Sequence, residues 1–231
     1  MVDGIDGSGK STAVGAWKNY LIAEGNGIFD LRRYWQETKK YPELEELKSY
    51  DFVFSCEPTF AGMGRVIREE LIRKGTNYPA LAIAEAYSLD RLILYDKIIL
   101  PMLGKQKIVI EDRGVCTSLA YQTAQGQGLD FAGIGELPGN KLALKNRPDY
   151  LVLMKISPEK AMERIAARLD KKDDSIFERL EFMKKLAGIY YSEEYQKIFT
   201  DRGTRILFLN AEAEIDIMER EAVSLLKKIL K

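Results

Sequence analysis

The sequence predicts an α/β fold, a doubly wound, mostly parallel sheet flanked by helices. Three observations predict it. The glycine-rich stretch GIDGSGKST at Gly4 to Thr12 fits the pattern G-x-x-x-x-G-K-[ST] without a gap, the loop that leaves a buried strand and opens a helix. Apolar runs bounded by charge, KIVI at Lys107 to Ile110 and DYLVLMKI at Asp149 to Ile156, read as strands covered on both faces. Segments with helical spacing alternate with such runs, the pattern of a parallel sheet with crossover helices. With 231 residues and 46% hydrophobic content, the chain can bury a full core and reads as one domain, 1–231.

The elements follow in order. Only Met1, Val2 and Asp3 precede the loop, where a strand of about five residues is usual. Either the first strand is unusually short or translation begins upstream of Met1, and the second is the expectation. Ser11 to Glu24 carries Val14, Trp17, Leu21 and Ile22 at helical spacing and is stopped by Gly25. Gly27 to Arg33 reads as a strand, Tyr41 to Ser49 as a short polar helix, and Asp51 to Cys56 as a strand ended by Glu57-Pro58. Gly62 to Arg73 reads as a helix with Val66, Ile67, Leu71 and Ile72 inward. Pro79 opens a longer one through Leu103, ended or bent at Pro101.

After the KIVI strand and Glu111-Asp112-Arg113 come a helix from Val115 to Ala124, a glycine-rich turn at Gln125 to Gly128, and a loose segment to Arg147. Past the strand at Asp149, Pro158 starts a helix through Arg168, and Leu169 to Ser175 is a charged surface loop between two helices. Phe177 to Phe199 is an amphipathic helix, Arg205 to Leu209 a last strand, and Ile215 to Leu230 a terminal helix. No internal repeat or low-complexity tract interrupts this order.

Composition excludes several classes. Lysine plus arginine and aspartate plus glutamate number 35 each, so no net field favours nucleic acid or an anionic membrane. No apolar run approaches the roughly 18 residues of a membrane helix, and no charged-then-apolar leader opens the chain. The two cysteines, Cys56 and Cys116, lie in core-like segments and read as buried free thiols, which places the chain in a reducing cytoplasm.

The loop's chemistry is phosphate chemistry. Its backbone N–H groups, from Gly4, Asp6, Gly7, Ser8 and Gly9, wrap an anion; Lys10 reaches the outer phosphates; Ser11, followed by Thr12, places a hydroxyl where Mg²⁺ can use it. Asp112, at the carboxyl end of a buried strand, is the carboxylate expected to hold Mg²⁺ or its waters, a surface salt bridge being the alternative. The chain has no histidine, which removes the usual general base and transition-metal ligand. Transfer to an existing monophosphate, whose second pKa is about 6, needs neither.

Four stretches together resemble the thymidylate kinase family of nucleoside monophosphate kinases: GIDGSGKST, Glu57-Pro58 followed by GRVIR at Gly64 to Arg68, YSLDR at Tyr87 to Arg91, and DRGVCTSLAYQ at Asp112 to Gln122. PDYLVL at Pro148 to Leu153 extends the likeness toward the last strand. The resemblance implies phosphoryl transfer from ATP, with Mg²⁺, to dTMP, in a homodimer with a short mobile lid at 169–175. It implies that Tyr87 stacks on a pyrimidine and Arg91, four residues on and so on the same helix face, donates to its carbonyl edge. Without the resemblance Tyr87 would read as a core aromatic. It further implies that Arg113 grips the acceptor phosphate, Tyr121 crowds the ribose 2′ position, Ser118 lies near the base, Asp6 near the acceptor sugar and the metal, and Pro58 along the acceptor side.

The loop carries no arginine, and family members of that kind draw cations from the lid, here Arg164 and Arg168. Lys171 and Lys172 sit in the lid itself, as donors of charge or as a solvated face. Departures from the family pattern are Thr59-Phe60 where bacterial members have two glycines, the small Ser118, and an insertion at 31–50 with no assigned function. A same-fold kinase acting on dUMP or another pyrimidine nucleotide, and a catalytically silent nucleotide-binding relative, are the alternatives. A GTPase switch is disfavoured, since Asn140-Lys141 continues as Leu142-Ala143 rather than N-K-x-D.

Overall fold

A computed structural model describes residues 1–167, 177 and 179–231. Its six parallel strands are β1 (Val2–Asp3), β2 (Ile28–Asp30), β3 (Phe52–Cys56), β4 (Ile108–Asp112), β5 (Tyr150–Lys155) and β6 (Arg205–Asn210), arranged β2-β3-β4-β1-β5-β6. This is the doubly wound sheet expected. The order reverses at β1, so the crevice beyond the carboxyl ends of β1 and β4 is where such sheets bind ligands. β3 and β4 pair from Phe52↔Ile108 to Cys56↔Asp112, which brings Glu57 and Arg113 out side by side.

The first helix, α1 (Lys10–Ala23), starts at Gly9, whose φ of 85° suits a residue without a Cβ. Its buried Ala13, Val14, Trp17 and Leu21 face the sheet, and the Trp17 indole N–H donates to the Ala222 carbonyl at 2.7 Å. Ile22, placed inward by its spacing, is 56% exposed. β2 is three residues long, because Asp30 caps α2 (Leu31–Thr38) by accepting from the Arg33 N–H, so the expected strand to Arg33 turns helical at Leu31. Segment 31–50 thus holds α2, anchored by buried Leu31 and Trp35, and the short α3 (Leu44–Leu47).

α4 (Gly62–Val66) runs into a π-type turn, Ile67–Leu71, with Ile67 buried and Val66 exposed rather than inward. α5 (Ala80–Leu94) continues through a second π-type turn, Tyr95–Ile99, into α6 (Leu100–Gly104). Pro101 neither ends nor blocks this run. It sits at the start of α6, directly after a turn whose hydrogen-bond ladder is already reset, so its missing N–H costs little there.

α7 (Val115–Gln125) matches expectation, but the segment to Arg147 is not loose: it holds α8 (Phe131–Glu136) and α9 (Pro138–Lys145). Gly133, Gly135 and Gly139 hide these helices from propensity. Packing explains one of them. Gly139 lies against α5 so closely that a Cβ there would fall 1.9 Å from the Ser88 carbonyl oxygen, and the Gly139 N–H donates to the Ser88 hydroxyl at 2.9 Å.

α10 (Pro158–Ala166) follows β5. The expected helix from Phe177 to Phe199 is two, α11 (Leu180–Tyr191) and α12 (Glu193–Thr200), because the Ser192 side chain caps the second by accepting from the Tyr195 N–H. α13 (Ile215–Ile229) closes the fold with Met218, Ala222 and Leu226 along one buried stripe against α1. The lid segment 169–175, with Lys171 and Lys172, and Arg168 lie outside the described residues.

β1 is only two residues long, yet it is held from both sides. Val2 accepts from the Arg113 N–H and Met1 from the Val152 N–H, each at 2.9 Å. The buried Asp3 carboxylate accepts from the Gly4 N–H at 2.8 Å, the Thr117 hydroxyl at 2.7 Å and the Tyr190 hydroxyl at 2.9 Å. Burial raises the Asp3 pKa, and the nearby Arg113 and Lys10 cations work against that.

Two stability tests follow from these contacts. Gly139→Ala will lower unfolding free energy by about 1–3 kcal/mol in denaturant titrations, the cost of overpacking, whereas Gly188→Ala in α11, with open space at its Cβ, will be neutral or stabilising. Asp3→Ala strands three donors, those of Gly4 and Tyr190 buried and that of Thr117 half-buried, and will cost about 3 kcal/mol, whereas Tyr190→Phe, which removes one, will cost about 1 kcal/mol.

Candidate active site

The loop from Gly4 to Thr12 is wound tightly over the end of β1. Gly7 has φ 76° and sits under α10, where a Cβ would come 2.3 Å from the Ala161 carbonyl oxygen, so only glycine fits. The Lys10 ammonium donates to the Gly4 and Ile5 carbonyls at 2.9 and 2.7 Å and lies 3.4 Å from the buried Ser8 hydroxyl. Burial, and then the neighbouring Arg113 cation, bring Lys10 down to about 8. An anion in the loop would raise it again. Thr12 is half-buried in the first turn of α1.

Asp112 ends β4 beside the loop. Its Oδ2 accepts from the Ser11 hydroxyl at 3.0 Å and pairs with Arg32 at 2.9 Å. Among the described residues no three carboxylate, cysteine or histidine side chains converge on a metal position. One carboxylate and one hydroxyl suit Mg²⁺, which keeps several waters and takes phosphate oxygens rather than a protein cage. The donor set therefore fits.

Arg113 is the hinge of the site. Its φ of 71° lies in the left-handed region, a strain that a non-glycine residue bears only where its surroundings fix it. The guanidinium pairs with Asp6 of the loop, reaches the Tyr121 hydroxyl at 3.5 Å, and lies 4.0 Å from Asp3. Burial would raise the Asp6 carboxyl, but Arg113 and Lys10 outweigh it and hold it below the usual range. Tyr121 is boxed in edge-on by Phe177 at 5.4 Å and by Phe182 of α11 at 6.0 Å.

A second cluster lies beyond Glu57-Pro58, a cis peptide. Arg91 is 1% exposed and pairs through Nε and Nη2 with Glu57, while donating also to Asn140 and, at 3.0 Å, to the Ser118 hydroxyl. Four of its five N–H donors are thereby used, and one on Nη1 has no partner among the described residues. Gln122 donates weakly to Ser118 at 3.4 Å, and its Oε1 has no partner among the described residues. Tyr87 is half-buried on the same face of α5 as Arg91; burial pushes its hydroxyl up to about 12, against the pull of Arg68 and Arg113. Asp90 fixes the turn after Pro58 by accepting from the Thr59 N–H and hydroxyl, both at 2.7 Å.

The structure thus brings Lys10, Ser11, Asp6, Asp112, Arg113 and Tyr121 into one cluster, with Pro58, Tyr87, Arg91 and Ser118 in a neighbouring one. Arg164 of α10 sits on the other side of the loop, donating to the Ala213 carbonyl at 3.2 Å, and a Cβ on Gly9 would meet it at 3.9 Å. Three residues escaped the sequence reading. Asp3 carries no motif signal. Arg32 lies in a segment without family pattern. Arg68 was visible in GRVIR but had no assigned role; it stacks 3.9 Å from the Phe60 ring centroid and donates to the Pro58 and Thr59 carbonyls.

Comparison with known proteins identifies the family. The family model for thymidylate kinase matches residues 37–222. Thymidylate kinase of Mycoplasmopsis pulmonis is 32% identical over 85% of this chain and 82% of its own length. Probable thymidylate kinases of Thermococcus kodakarensis, 29% identical over 100% of this chain and 97% of theirs, and of Thermococcus onnurineus, 31% identical over 98% and 96%, match nearly end to end. The loop, the Asp112-Arg113 pair and these matches converge on one assignment: the chain belongs to the thymidylate kinase family of nucleoside monophosphate kinases.

Proposed function

We propose that the protein transfers the terminal phosphoryl group of ATP to dTMP, giving dTDP and ADP, with Mg²⁺. The observation that carries this reading is the ion pair of Arg113 with Asp6, which sets an acceptor-side guanidinium directly against the donor loop. In this reading ATP lies over Gly4 to Thr12, with Lys10 on its outer phosphates. Ser11 and Asp112 would hold the Mg²⁺ that accompanies ATP, which supplies neutralisation of charge on the transferring group.

The acceptor phosphate lies on Arg113, whose planar fork suits two phosphate oxygens. Its dianionic oxygen is already a nucleophile, so the residues position and neutralise rather than remove a proton. Tyr87 offers a ring face to the base, the remaining Arg91 N–H and Gln122 Oε1 offer a donor and an acceptor to its edge, and Pro58 lines the same side. Tyr121, held rigid by Phe177 and Phe182, limits room at the ribose 2′ position. Arg164, and Arg168 outside the described residues, would supply cations from the donor side. Among the described residues no helix is long and apolar enough to cross a membrane. A cytoplasmic homodimer completes the reading, and light scattering checks the dimer.

The test is an acceptor panel of dTMP, dUMP, UMP and dCMP with ATP and Mg²⁺ under equal conditions. dTDP will form fastest, and Lys10→Ala will lower kcat by roughly 10²–10³-fold. A preference for UMP over dTMP, or unchanged turnover in Lys10→Ala, would contradict the roles given to Tyr121 and to the loop.

A further inference from the structure

Arg32 belongs to the segment between β2 and β3 for which sequence provides no function, yet it reaches into the crevice. The position is set by packing. Asp30 caps α2, Leu31 and Trp35 bury its inner face against β3, and the residue between them is carried over the carboxyl ends of β3 and β4. There the Arg32 guanidinium bonds Asp112 at 2.9 Å and the Cys56 sulfur at 3.4 Å, and lies 5.8 Å from the Phe60 ring centroid. Its side chain stays 35% exposed while that of Asp112 is 5% exposed, so the cation keeps an accessible side.

Arg68 lies over the same ring, at 3.9 Å. Among the described residues Arg68 hydrogen-bonds only the carbonyls of Pro58 and Thr59 and pairs with no carboxylate. Arg113 follows Asp112 directly. Three guanidiniums therefore share this corner; among the described residues Asp112 pairs with Arg32, Asp6 and, at 4.0 Å, Asp3 pair with Arg113, and no carboxylate pairs with Arg68. Burial lowers the Arg68 pKa; Cys56 and Tyr87 act against it, and the Arg32 and Arg113 cations add to it. Arg68 is the member left without an anionic partner among the described residues. A phosphate dianion is an anion of the right charge and has three oxygens for planar forks.

We propose that Arg32 is a phosphate-binding residue of the acceptor nucleotide, closing with Arg68 and Arg113 a three-guanidinium pocket around its monophosphate. Asp112 holds Arg32 in place when no nucleotide is bound. This rests on the acceptor reading given above, and it makes the segment 31–50 part of the site rather than an appendage.

Equilibrium binding of dTMP and of thymidine to Arg32→Gln and to the unaltered protein tests it. Arg32→Gln will weaken dTMP at least tenfold, leave thymidine within twofold, and raise the KM for dTMP without changing the KM for ATP. Arg33→Gln, next in the chain but paired with Glu37 in solvent, will change none of these. Equal weakening of dTMP and thymidine would show a merely structural role, and unchanged dTMP binding would overturn the assignment directly. Should the unaltered protein bind no pyrimidine monophosphate at all, the acceptor reading falls and this one with it. Tight binding by both proteins overturns this one alone.

Discussion

The ion pair between Arg113 and Asp6 is the interaction on which the rest of the site depends. It crosses from β4 to the loop after β1, the two strands between which the sheet reverses its order. The backbone takes part as well. Arg113 donates its N–H to Val2 and adopts a left-handed φ of 71°, so the side chain is turned back over the loop rather than onward along α7. Asp3 lies beneath both, buried and bonded to Gly4, Thr117 and Tyr190. A two-residue strand can therefore anchor a phosphate loop, because side-chain hydrogen bonds and flanking β4 and β5 do what a longer ladder would otherwise do.

The second cluster is rigid for a different reason. Arg91 is buried with Glu57, and a buried pair is costly to break although it adds little net stability when intact. Asn140, from α9, and Ser118, from α7, take further donors, so α5, α7, α9 and the turn after β3 meet at one guanidinium. Asp90, the neighbour of Arg91, clamps Thr59. The turn after β3 is thus held by consecutive residues of α5, Asp90 on Thr59 and Arg91 on Glu57.

Much of this was legible in the sequence. The loop, the apolar strands β4 and β5, and the alternation of elements lie in local patterns with a physical cause, and they predicted the sheet. Resemblance to the family singled out Tyr87, Arg91, Arg113 and Tyr121 as candidates, and its place at the end of a buried strand singled out Asp112. What escaped depends on contacts between distant parts of the chain. α8 and α9 are rich in glycine, and at Gly139 the reason is close approach to α5, which no local propensity registers. Ile22 has the right spacing but points past the end of its buried stripe. Arg32 looks like any surface arginine until α2 is packed on β3, and Asp3 looks like a strand end until Tyr190, 187 residues away, is seen to bond it.

One measurement tests most directly that the loop and the Arg113 side form a single two-nucleotide site. Calorimetric titration with a bisubstrate analogue, adenosine and thymidine bridged through phosphates, should show one molecule bound per chain, displaced competitively by ATP and by dTMP alike. Displacement by only one of the two nucleotides, or two analogues bound per chain, would contradict it.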